Sequence, residues 1–177
     1  AREFIKPEFY KNGYVPGEHV YRAAGREVAS IVAEREGLVF PDRVILVGAH
    51  YDTVDDSPGA DDNASAIAAL LEIARHMAVV TSGVTIRFIA FTLEEPPYFS
   101  TNDMGSKRYA ERCKKRGENI MLMLSLDMLG FAGSRVQQEV PAGVNIRNDK
   151  LKGDFLAVVS LPSMSAHVSR WKDIYNR

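Results

Sequence analysis

Residues 43–50, "RVILVGAH", are apolar on both faces for most of a strand's length and end in an imidazole. A strand of this kind has to be covered above and below, as the central strand of a layered sheet is. The neighbouring segments fit such a layer. "EVASIVAE" (27–34) is a second short run rich in apolar residues, joined to the first by "REGLVFPD", and the two read as neighbouring strands. From Asp62 to Val79 the apolar residues Ile67, Leu70, Leu71, Ala74, Met77 and Ala78 recur at helical spacing, behind an Asp/Asn-rich cap. A further strand is expected over 84–92, a helix with cations near its end over 104–117, and another strand over 120–128.

Strand, helix, strand, helix, strand is the order of an α/β sheet with crossover connections. The expected architecture is therefore three-layered, with a mixed, mostly parallel sheet flanked by helices. Residues 1–26 hold Pro7, Gly13, Pro16 and Gly17 without a sustained period and read as an irregular N-terminal segment. Residues 131–152 read as a long loop or hairpin, 153–160 as a further strand, and 164–177 as a helix. That helical pattern runs to the last residue with no stop signal, so 27–177 is read as a domain incomplete at its C-terminus.

With 177 residues the chain is long enough for one domain with a genuine core. Its 22 basic and 23 acidic side chains nearly cancel, so charge implies neither a nucleic-acid nor a membrane partner. Cys113 is the lone cysteine and cannot form an internal disulfide. No run of about 18 apolar residues and no leader are visible, which leaves the compartment open between cytoplasmic and exported with a leader removed.

In open α/β sheets, ligands collect beyond the carboxyl ends of the strands. Here one run ends at His50 and Asp52, the next at Glu94 and Glu95, the last at Asp127, while Asp61 and Asp62 open the helix after the first. Carboxylates gathered from four segments repel one another and shift their pKa values upward unless a cation lies between them. One imidazole with oxygen donors suits zinc, with cobalt or manganese as substitutes, whereas calcium prefers an all-oxygen cage. Bridging carboxylates favour two ions about 3.5 to 4 Å apart. Asp55, Asp56 and Asp61 read as turn formers, and His19, His76 and His167 as surface or ordinarily packed residues.

Three ordered motifs, "GAHYDTV…SPGADDNASA…LLEIAR", "FIAFTLEEPPYFSTNDMGSKRYAER" and "LSLDMLG", resemble the M28 family of zinc metallopeptidases over roughly residues 28–131. The resemblance implies a co-catalytic zinc exopeptidase that removes N-terminal residues from peptides or small aminoacyl substrates. It implies that His50 and Asp127 bind one zinc, Asp62 bridges both ions, Glu95 binds the second, and Glu94 is the general base. Asp52 would accept a hydrogen bond from His50 and set its tautomer. A non-proline cis peptide is implied between Asp62 and Asn63.

Two departures accompany the match. The family's last ligand, a histidine in a Ser-Asp-His-like segment, has no counterpart, so the second site is expected to hold only Asp62 and Glu95 and to bind metal weakly. Ala66 stands where a glycine is usual. Alternatives to the enzyme are a non-catalytic M28-like binding module and a single-zinc acyl-transfer fold such as a glutaminyl cyclase. Retention of His50 and Asp127 speaks against the last.

Overall fold

The computed structural model describes residues 1–23, 25–137, 152–153 and 156–175. They form two compact units, Ala1–Gly130 and Phe131–Arg177. In the first unit, helix α1 (Arg2–Lys11) leads into strands β1 (Gly17–Ala23), β2 (Arg26–Arg35) and β3 (Phe40–His50). Helix α2 (Ala66–Met77), strand β4 (Val84–Phe91), helix α3 (Gly105–Arg116) and strand β5 (Asn119–Ser125) follow.

The sheet is mixed, in the order β1-β2-β4-β3-β5. Strands β4, β3 and β5 are parallel, while β2 runs antiparallel to β4 and β1 antiparallel to β2. The expected mixed α/β sheet flanked by helices is therefore present, with parallel and antiparallel pairings evenly divided in this sheet. Strands β2 and β3 are consecutive in sequence but not neighbours, because β4 inserts between them. Strand β3, apolar on both faces, is covered by α1 and α2 on one face and α3 on the other, and β4 and β5 flank its two edges.

Alternation along the strands divides the core. Val47, Ala49, Ile86, Phe88 and Ala90 face α1 and α2, where Ile5, Phe9, Ile67, Leu70 and Ala74 close the layer. Leu46, Ile89 and Phe91 face the opposite side and pack on Tyr109 and Cys113 of α3. Helix α2 buries Ala66, Ile67, Leu70, Leu71 and Ala74 and leaves Glu72 and Arg75 exposed, paired at 2.7 Å. Ala66, where the resemblance leads one to expect glycine, is fully buried in this layer.

Three expectations are corrected. Residues 1–26 are not irregular: Pro7 interrupts the pattern that would announce a helix, yet Ile5 and Phe9, four residues apart, are buried on one side of α1, and β1 completes the sheet edge. The regular helix begins at Ala66 rather than Asp62, because Asp62 (φ −100°, ψ 92°) and Asn63 (φ −135°, ψ 35°) are non-helical within the turn Ala60–Ser65. No side-chain cap hydrogen bond is made at its start; the polar side chains of this turn bind the segment around Asp127 instead.

In the second unit, β6 (Gly133–Gln137) pairs antiparallel with β7 (Lys152–Gly153), and a turn at Pro162–Met164 precedes helix α4 (Ser165–Tyr175). This agrees with the hairpin option for 131–152, of which 138–151 lie outside the described residues. Residues 156–160 have no regular structure, so the strand expected over 153–160 is not formed there, and 154–155 lie outside the described residues. No helix among the described residues is long and apolar enough to cross a membrane.

Candidate metal centre

Strand register brings the acidic residues to one edge. His50, the last residue of β3, is opposite Phe91, the last residue of β4, so both strands stop at the same level. Strand β5 reaches Ser125, opposite Gly48, and its extension is tied by the Leu126 N–H donating to the Gly48 carbonyl at 2.8 Å. Asp127 and the Glu94–Glu95 pair therefore emerge beside His50, outside the carboxyl ends of three parallel strands.

His50 is buried, and its Nε2 faces Asp62 Oδ1 at 3.2 Å, Asp127 Oδ1 at 3.7 Å and Glu94 Oε2 at 3.8 Å. Two overlapping groups have donor atoms within 4.8 Å of one another: His50, Asp62 and Asp127, and His50, Glu94 and Glu95. The five expected ligand and base residues thus converge, and Asp52, the sixth residue singled out in the sequence, contacts His50 and the Glu94 and Glu95 backbone. His76 is exposed on α2 beside Glu72, His19 packs between Tyr21 and Tyr109, and His167 is exposed on α4.

Asp52 does more than the sequence indicates. The His50 Nδ1–H points at the main-chain carbonyl of Asp52 at 3.1 Å, while the Asp52 carboxylate is 3.7 Å away, too far for a hydrogen bond. The carbonyl therefore sets the tautomer. The carboxylate instead accepts the N–H groups of both Glu94 (2.8 Å) and Glu95 (3.0 Å) through Oδ2. Burial opposes ionisation of Asp52, but His50 and these two amides hold its pKa below the usual carboxylate value. The chain turns toward Asp52 through Leu93, whose φ of 55° is left-handed and costs a non-glycine residue about 1 to 2 kcal/mol, an amount that two charge-assisted hydrogen bonds can offset.

The electrostatics favour a cation. Burial disfavours protonation of His50, yet Asp127, Asp52 and Glu94 outweigh it and push the imidazole up to about 10 in the metal-free chain. Burial and the neighbouring acids Asp127, Asp52 and Asp62 push Glu94 up against the pull of His50, and burial with Asp62 does the same to Glu95. Asp62 Oδ1 is buried and accepts no hydrogen bond. With Nδ1–H committed to a carbonyl, the lone pair of neutral Nε2 faces carboxylate oxygens, an arrangement that needs either a proton or a metal ion between them. One nitrogen and several oxygens at these separations form a donor set suited to zinc.

Residues 28–161 match the family model described as Peptidase family M28. The chain belongs to peptidase family M28. It is 35% identical over 172 residues to the uncharacterized protein YfbL of Escherichia coli K12, covering 90% of this chain and 50% of YfbL. It is 36% identical over 111 residues to the aminopeptidase YwaD of Bacillus subtilis, covering 60% of this chain and 22% of YwaD. Among solved structures, the zinc aminopeptidase BSAP of Bacillus subtilis superposes with a TM-score of 0.53 at 33% identity, covering 60% of this chain and 26% of BSAP. The chain thus spans half or less of the length of these relatives.

The M28 match extends over all the converging side chains. The peptide Asp62–Asn63 is cis, as the family likeness implied. What the sequence did not reveal is the hydrogen bonding of Asp61, Asn63 and Ser65: their Asp/Asn/Ser composition reads as a turn or cap, and their partners lie more than 60 residues away.

Proposed function

We propose that this chain carries the metal centre of a zinc-dependent exopeptidase acting on the amino-terminal residue of peptides. The observation that carries the proposal is the His50 Nε2 atom facing the carboxylate oxygens of Asp62, Asp127 and Glu94 at 3.2 to 3.8 Å. Likeness to YwaD, named an aminopeptidase, and to BSAP, named a zinc aminopeptidase, supports the aminopeptidase class.

In this reading His50, Asp127 and Asp62 would hold one zinc, and Asp62 and Glu95 would contribute to a second. Bound zinc would lower the pKa of water and polarise the scissile carbonyl. The remaining work falls to the chain's own side chains. Glu94 takes a proton from the attacking water and returns it to the leaving amine. In the metal-free chain burial and the neighbouring acids raise its pKa above the ordinary carboxylate value. Asp52 fixes the backbone of Glu94 and Glu95 so that the two adjacent carboxylates keep separate tasks.

The test is zinc content per chain together with hydrolysis of leucine and alanine anilides. Glu94→Gln is expected to abolish turnover with zinc retained. Loss of zinc in that variant would contradict its role as base, and a wild-type chain that takes up no zinc would refute the metal centre itself.

A further inference from the structure

Asp61 is adjacent to Asp62 in sequence, but its carboxylate serves a different segment. Asp61 Oδ1 accepts the Gly130 N–H at 2.7 Å. The Ser65 hydroxyl donates to Asp61, with the carbonyl at 2.7 Å and Oδ1 at 3.2 Å, and its oxygen accepts the Leu129 N–H at 2.9 Å. Between them, the Asn63 amide donates to the Leu126 carbonyl and accepts the Met128 N–H, both at 3.2 Å. A five-residue turn thus grips the main chain at 126, 128, 129 and 130, every residue flanking Asp127.

On the Asp127 side, strand pairing goes no further than the bond from the Leu126 N–H to the Gly48 carbonyl. Strand β5 has ended at Ser125, and the Asp127 side chain is 59% exposed, so packing does not hold it. Met128 adopts φ 47°, a left-handed conformation rare for a side-chain-bearing residue and one that needs holding. The approach is also close enough to demand a glycine: a Cβ on Gly130 would lie 2.7 Å from Ser65 Cβ and 3.3 Å from Asp61 Oδ1. Ser65, at the N-cap of α2, makes no side-chain cap bond to that helix, so the ordinary explanation for a serine at a helix start does not apply to it.

We infer that Asp61 and Ser65 are positioning residues of the metal centre: by clamping the Leu129–Gly130 backbone they hold the Asp127 carboxylate over His50 before any ion arrives. The inference rests on the metal-centre reading and adds a preorganising device to it. Holding a ligand in place from outside the donor set typically changes metal affinity by about 10 to 100-fold.

The test uses the full chain in two arms. In the metal-free arm, amide hydrogen exchange is followed by NMR. Asp61→Ala is expected to lower protection at Leu129 and Gly130 by at least about 10-fold while the amides of α3 keep theirs. In the second arm, zinc affinity is measured by chelator competition, with Asp127→Asn as the reference for a lost ligand. Asp61→Ala and Ser65→Ala are expected to weaken zinc by about 10-fold or more. Asp61→Asn keeps an oxygen acceptor and should restore most of both readouts. Wild-type exchange and affinity in Asp61→Ala would overturn the inference. So would equal losses in Asp61→Asn and Asp61→Ala, which would show that the charge beside Asp62 matters and the clamp does not. A wild-type chain that binds no zinc refutes the metal centre, and the exchange arm then decides by itself whether the clamp exists.

Discussion

Replacing Asp52 by asparagine would test the part of the site that distributes the two glutamates. The Asp52 side chain is 20% exposed, and Oδ2 accepts two main-chain N–H groups at 2.8 and 3.0 Å. Hydrogen bonds to a charged acceptor contribute about 1.5 to 3 kcal/mol each and neutral ones about 1 kcal/mol, so converting both costs on the order of 2 kcal/mol. The amide nitrogen of the new residue would also face the His50 Nδ1–H, donor against donor. Urea unfolding of the metal-free chain measures the loss without interference from bound ions. The pH dependence supplies a sign. The folded pKa of Asp52 is depressed, so its contribution is present above the unfolded value near 3.8 and is lost as pH falls through the folded value. The difference between wild type and Asp52→Asn should therefore close in acid. A variant within about 0.5 kcal/mol of wild type at neutral pH would show that this carboxylate does not hold the Glu94 and Glu95 amides.

Two further outcomes are expected. The His50 pKa lies above its unfolded value, up to about 10, so its stabilising contribution in the metal-free chain is complete below about pH 6.5 and disappears as pH rises toward about 10. Titration calorimetry in two buffers near pH 7.5 should accordingly show close to one proton released from His50 as zinc binds, and absence of release would contradict a protonated, acid-paired imidazole. Gly105→Ala places a Cβ 2.0 Å from the Thr92 carbonyl oxygen at the join between β4 and α3, and should destabilise the chain by about 1 to 3 kcal/mol in urea unfolding; unchanged stability would mean that α3 can retreat from the sheet without cost.

The layered α/β class was legible because the residues of β3 and β4 are apolar at successive positions and those of α2 are apolar at helical spacing, and such periods follow from burial alone. The six site residues were legible for a related reason, since each is at the point where an apolar run stops or the next helix opens. Helix α1 was not legible, because its two buried residues, Ile5 and Phe9, are too few to outweigh Pro7 as a local signal. The insertion of β4 between β2 and β3 was not legible either, because pairing partners are chosen by burial across the sheet and leave no mark on either strand's own pattern.

The chain's own order of residues thus determined which types of side chain stand at the strand ends, and so the kind of ion they can attract. Their division of labour was decided only in three dimensions. A carboxylate carries no sequence mark of whether it will meet a cation, two backbone amides or a glycine from a distant segment. Asp52 and Asp61 meet the last two of these, and Asp62 faces the His50 imidazole, because the Leu93 turn, the close approach of Gly130 and strand register bring different groups within reach of each.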